Sequence, residues 1–482
     1  MLSSDSEARH WPVVLAGFLT VTLTAGLGSS IGIFYLEWLH EFPQSSALVG
    51  WLSSSVMAMI LGFSSVAAAL GKYFGIRRVV VAGAGLSFIG FVGASFAWEF
   101  YLLVITIPFM TGIGCSMCYT SVMTIIGDCF HRHFALAFGI SMSGVSVGMV
   151  SFPVLGGFLI EQYGWRGALV IIGAIQANIV VCAKFMKPFG HTQTRLIKSE
   201  VAGGAGYGSL TDPPSLDSAA GGEDYEGDDD DDRPASLSPN RFRFSRGYRN
   251  TDAKGEETKA AQERKWSRKL MQFLDRAGVS LIWTNRVFAG ILLIPLPMSA
   301  GNGITLPFIA ARAESVGVPR LRATSLLSII GVANVIGSWM YGPLVDANVI
   351  EPTFILTFAA GMTVVSGFIT AVNESYGGFV VCAALFGFAS GVYVPLSGVL
   401  VRRIIGQERF PGGMGIVLAL VAIGYIIFSS VGGYLYDATH SYSGCFYLVG
   451  ASAALGVVVL LGLHLLWTRL VPDDRWPTIK SR

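Results

Sequence analysis

Cys115 and Cys118 form a CxxC, a spacing used by zinc sites and redox dithiols, but no second pair or nearby histidine completes a ligand set. Cys129, Cys182, Cys382 and Cys445 also fall within or at the ends of apolar stretches. All six cysteines therefore read as helix-packing residues, not as a disulfide framework. Of the seven histidines only His464 lies inside an apolar stretch, near its end, where it can snorkel. The sequence has no P-loop or HExxH, and nothing nominates an enzyme, a metal or a cofactor. Glu37, Asp128, Glu161, Asp346 and Asp437 count out near the ends of apolar stretches and none midway, which argues against a buried proton relay.

Amides and hydroxyls, by contrast, do occur midway along apolar stretches. In "LLSIIGVANVIGSWMYG", 326–342, steps of three and four residues from Asn334 collect Ser328, Gly331, Ser338 and Gly342 on one helical face. The middle of this stripe is expected to face a solute pathway and its ends to pack, with Gly342 and Asp346 forming an inner turn. Asn302 interrupts "PMSAGNGITLPF" between Gly301 and Gly303, bracketed by Pro297 and Pro307; helix breakers at membrane depth are tolerated beside protein or a watery cavity. Tyr119 and Tyr393 each follow a run of small residues, and a buried phenol needs a partner, from a helix or a solute. Gly144 and Gly148 form a GxxxG, read as close helix contact.

The elements that must position these residues are set by composition. The 482-residue chain is 52% hydrophobic and 13% charged, against about 25% charged in an ordinary soluble domain. Its mean hydropathy is +0.58, so a lipid-facing protein is the economical reading. A net charge of +2 without a basic patch offers nothing for nucleic acid. Twelve apolar segments are long enough to span a bilayer: 12–37, 47–70, 79–98, 100–126, 135–160, 166–187, 286–311, 323–345, 352–372, 377–402, 412–436 and 443–467.

A polar tract, 188–282, divides six spans from six. It carries "EDYEGDDDDDRP" and then "NRFRFSRGYRN", and is expected to be a largely disordered linker, ending in an amphipathic stretch, "WSRKLMQFLDRAG". With the amino terminus inside and the middle tract left out, the inner loops and tails hold twelve cations and the outer loops four: Arg166, Arg312, Arg320 and Arg322. The positive-inside rule then assigns both termini and the tract to the cytoplasm. "GGFLIE" (156–161) and "GGYLYD" (432–437) close spans five and eleven, an internal echo expected of a carrier built from repeats.

At this point the chain resembles the monocarboxylate transporter family (solute carrier family 16) of the major facilitator superfamily. The resemblance rests on "LPFIAARAESVGVPRLRATSLLSIIGVANVIG" (306–337), "FHRHFALAFGISMSGVSVG" (130–148), "WRGALVIIGA" (165–174) and "GMGIVLALVAIG" (413–424), and it covers both halves but not the tract. It implies an all-α membrane protein, twelve transmembrane helices in two pseudo-symmetric six-helix bundles. The expected domains are a bundle over 1–187, the linker 188–282, and a bundle with a short tail over 283–482.

The departures from the family are specific. Ser29 aligns with the lysine that the lactate carriers place in span one, and Asn334 and Ser338 with the aspartate and arginine of span eight. "SEARHW" keeps only Trp11 of the opening signature, and Arg403 stands where the family often has an aspartate. The expected function is a plasma-membrane, multi-pass carrier of a small organic solute working by alternating access: a monocarboxylate, or a zwitterionic or neutral relative. Lactate–proton symport is not expected. A non-transporting receptor or accessory subunit on a carrier fold is the alternative, and a single-span accessory protein is a candidate partner. Candidate solute contacts are Ser29, Ser30, Tyr119, Ser143, Asn302, Asn334, Ser338 and Tyr393; candidate gating residues are Arg132, Asp346 and Arg403.

Overall fold

The computed structural model describes residues 10–42, 46–186 and 278–470. Except for its last residues, the expected linker lies outside them, as do both chain ends and the side chains of Ser29 and Ser30. The described residues belong to one compact unit. They contain helices and turns and no strand.

Apolar runs long enough to cross a bilayer give α1 (Trp11–Phe34), α3 (Ile76–Ser95), α4 (Phe100–Cys129), α7 (Arg286–Ser315), α8 (Arg320–Asp346), α9 (Pro352–Val372), α10 (Tyr376–Ile405), α11 (Phe410–Thr439) and α12 (Ser443–Leu470). Two further segments complete the twelve. Ser46–Gly62 and Ser64–Phe74 make α2, bent by 43° at Phe63. Phe134–Cys182 carries α5 and α6, divided at Gly164, whose φ of 68° is in the region that favours glycine. Lipid-facing flanks keep their apolar side chains exposed: on α8 these are Val332, Ile336, Trp339 and Met340.

Local chemistry explains the irregular turns. Pro108 cannot donate to the ladder, and α4 opens into a π-helical stretch over Ile105–Thr111, where the Thr106 hydroxyl takes up the Leu102 carbonyl at 2.7 Å. The π stretch of α1, Thr22–Gly26, lies against α5. There a Cβ on Gly26 would meet the Gly148 backbone, so the GxxxG of α5 is a close helix contact. Asn302 does not break α7, which runs unbroken from Pro295 to Ser315; the irregular turn falls earlier, between Ile291 and Pro295.

The first six spans pack among themselves, as do the last six, and the two sets meet along α2–α11 and α5–α8. The repeated "GGFLIE" and "GGYLYD" lie in equivalent places, late in α5 and α11. Alternating span direction puts the starts of α1, α5, α7 and α11 and the ends of α2, α8 and α10 on one face, the first face below.

Candidate functional site

A cavity of about 110 Å³ lies between the two sets of helices at mid-depth. Tyr119 of α4 and Ser146 and Met149 of α5 face Asn302 of α7, Asn334 and Ser338 of α8, Ser390 and Tyr393 of α10, and Tyr425 of α11. No Asp, Glu, Lys, Arg or His is among its described lining residues. Met57, Met149, Asn302, Leu306 and Tyr425 also border a larger vestibule of about 710 Å³, which extends toward the opposite face between the later turns of α1, α5, α7 and α11 and the first turns of α8. Cavity and vestibule are thus consecutive.

Asn334 is the polar centre of the cavity. Its Oδ1 accepts from the Ser146 hydroxyl across the α5–α8 seam, and its Nδ2 donates to Ser390 Oγ at 2.9 Å. Ser390 donates in turn to the Gly387 carbonyl at 3.0 Å. One turn along α8, Ser338 donates to the Gly391 carbonyl at 3.0 Å. That carbonyl is available because Pro395, four residues later, has no N–H to bond it. The hydroxyls of Tyr119, Tyr393 and Tyr425 and the amide of Asn302 have no partner among the described residues.

Toward the first face the pathway is sealed. The Asp346 carboxylate at the end of α8 accepts from the backbone N–H groups of Ala135 and Leu136 at 3.0 and 2.9 Å, capping α5 from the other half. Tyr341 donates to the Ala135 carbonyl at 3.0 Å. Phe134 stacks on Phe138, meets Phe410 edge-on at 5.7 Å, and lies 4.0 Å beneath the Arg402 guanidinium. Lys72 at the end of α2 donates to the Glu408 carbonyl before α11 at 2.8 Å.

The sequence profile of the Major Facilitator Superfamily matches residues 14–371 and 291–481. The chain belongs to this superfamily. It is similar to Monocarboxylate transporter 12-B of Danio rerio (27% identical, over 95% of this chain and 87% of that one). It is also similar to Monocarboxylate transporter 14 of Homo sapiens (26%, over 94% and 89%). The family resemblance read from the motifs is therefore found again in whole-chain comparison. Among solved structures, the proton:xylose symporter XylE bound to 6-bromo-6-deoxy-D-glucose matches with a TM-score of 0.64 at 16% identity, over 97% of each chain. FucP in the outward conformation matches with a TM-score of 0.60 at 15% identity, over 94% of this chain and 98% of that one. These likenesses establish the fold. As a superfamily member with transporter relatives, the chain is a multi-pass membrane solute carrier.

Within this superfamily fold, the cavity gathers five of the eight expected contacts: Tyr119, Asn302, Asn334, Ser338 and Tyr393. Ser143 is not among its lining residues: its hydroxyl donates to the Ile140 carbonyl at 2.7 Å and accepts from Trp339 Nε1 at 2.9 Å, an interhelical bond beside the cavity. The backbone of Ser29 and Ser30 runs between Gly28 and Ile31, both on the vestibule wall. Of the three expected gating residues, Asp346 lies at the seal. Arg403 caps the end of α8 instead, donating to the Val345 carbonyl at 3.3 Å, and does not line the cavity. Arg132 is exposed in the turn before α5. On the α8 stripe, Gly342 packs against Leu136 as expected, but Ser328 at the other end lines the vestibule where packing was expected. Sequence reasoning missed Ser146, Ser390 and Tyr425.

Proposed function

We propose that this carrier moves a small organic solute by alternating access. The vestibule is the entry and the cavity around Asn334 is the binding site. The supporting observation is that one cavity, built by both sets of helices, continues into a vestibule on one side and ends at the Asp346–Phe134–Phe410 seal on the other. Asp346 acts as the gate residue of that seal. With the first face on the cytoplasmic side of the plasma membrane, as the cation asymmetry favours, the vestibule opens outward. Since no carboxylate is among the described residues lining the cavity, the proposed carrier couples weakly to protons and is not a lactate–proton symporter.

Uptake by purified protein in liposomes, with and without an imposed inward proton gradient, tests this. Saturable uptake of a small organic acid, amino acid or neutral relative that is nearly indifferent to the gradient is the expected result. Concentrative, gradient-driven uptake would overturn the coupling, and absence of uptake across such a panel would favour a receptor or accessory role.

A further inference from the structure

The hydrogen-bond inventory of the cavity is divided between a cluster that accepts and groups that can donate. A serine hydroxyl has one proton and two acceptor lone pairs. All five lining serines already direct that proton inward to the protein: Ser146 to Asn334, Ser299 to the Leu296 carbonyl, Ser338 to the Gly391 carbonyl at 3.0 Å, Ser390 to the Gly387 carbonyl at 3.0 Å, and Ser397 to the Val394 carbonyl at 2.6 Å. Asn334 gives one of its two amide protons to Ser390 at 2.9 Å and keeps an Oδ1 lone pair. The cluster of Ser338, Ser390 and Asn334 therefore presents oxygens that accept. The unengaged donors are the phenols of Tyr119, Tyr393 and Tyr425 and the amide of Asn302, on α4, α10, α11 and α7.

A bare carboxylate meets the wrong polarity at this accepting cluster, and a lone cation or anion finds no counter-charge among the described lining residues. Burying either without compensation is costly. We propose that the solute is net neutral and carries an N–H donor head, an ammonium balanced by its own carboxylate. The head is accepted by the oxygens of Ser338, Ser390 and Asn334, and the carboxylate turns toward the phenols and Asn302. This rests on the reading of the cavity as the solute site. The order of magnitude is large enough to measure, because a site built around a hydrogen bond strongly rejects an analogue lacking it.

Three labelled probes sharing a three-carbon acid skeleton separate the alternatives in proteoliposomes: β-alanine, its N-trimethylated betaine, and propionate. The betaine keeps both charges and loses every N–H. Saturable β-alanine uptake, at least about tenfold above that of betaine and propionate, is expected. Saturable betaine or propionate uptake matching β-alanine overturns the donor assignment, as does no saturable uptake of any probe. Asn302→Ala, Ser338→Ala and Ser390→Ala then distinguish the two levels of the argument. If propionate is carried and these substitutions impair it, the cavity is the solute site and only the donor head is wrong. If a carried probe is indifferent to all three in correctly inserted protein, the cavity reading itself fails.

Discussion

Asn334 joins three helices through one amide, with Ser146 on α5 and Ser390 on α10 as its partners. Interhelical bonds of this kind in a membrane contribute about 0.6 kcal/mol each on average, so Asn334→Ala should still insert and fold. Losing a hydrogen bond to a charged solute group costs about 1.5–3 kcal/mol, and the apparent KM should rise roughly ten- to a hundredfold. Ser338→Ala should weaken uptake as well, and the double variant should fall short of the product of the two, because groups touching one ligand are coupled. Unchanged KM in all three would reduce the stripe to packing. Tyr425→Phe is a cleaner probe. Its hydroxyl has no partner among the described residues, so the substitution should leave expression and thermal stability unchanged while raising KM several-fold, about the worth of one hydrogen bond. A stability loss without a KM effect would place that hydroxyl in an unrecognised structural bond.

At the scale of elements, α5 and α8 form a seam held by hydrogen bonds from its first-face end to mid-depth: Asp346 and Tyr341 at Ala135, Trp339 at Ser143, and Asn334 at Ser146. Beyond Ser146 the same helices part around the vestibule. If this cap of α5 is made only while the first face is closed, as its place in the proposed gate requires, losing Asp346 should shift the balance of states toward the one open on the first face by roughly ten- to a hundredfold. The reporter is Ser328→Cys on the vestibule wall: an impermeant thiol reagent applied from that side should label it more slowly when combined with Asp346→Ala. Equal labelling rates would remove Asp346 from the gate. Much of this scaffold was legible from hydropathy, because a bilayer demands about 20 apolar residues per span, and the polar stripe on α8 follows from helical periodicity alone. The register of α5 was not legible. Ser141, Ser143 and Ser146 are near neighbours in an apolar helix, and only tertiary packing sends one to the Val14 carbonyl, one to Trp339 and one to Asn334. Tyr425 had the same signal as Tyr119 and Tyr393, small residues just before it ("AIG"), and the signal was not followed into α11. Ser390 could not be found by charge or spacing, because its role depends on which face α10 turns to α8.

For the whole molecule, the charge asymmetry makes a prediction that needs no solute. Both termini and the tract 188–282 should be cytoplasmic, so protease added outside sealed, right-side-out vesicles should leave "EDYEGDDDDDRP" intact. External cleavage there would invert the topology, and with it the side on which the vestibule opens.

Pro395 offers the cavity no hydrogen bond, yet it governs which kind the cavity can make. Because it withholds an N–H from Gly391, the carbonyl draws the Ser338 proton away from the lumen. Pro395→Ala would return that carbonyl to its own helix and release the hydroxyl, converting an oxygen that attracts protons into a group that supplies one. The preference between β-alanine and propionate should then narrow or invert in uptake assays. If the cavity is the solute site, its selectivity depends in part on an imino acid that contributes only a missing hydrogen. A search for selectivity determinants confined to polar side chains would pass over it.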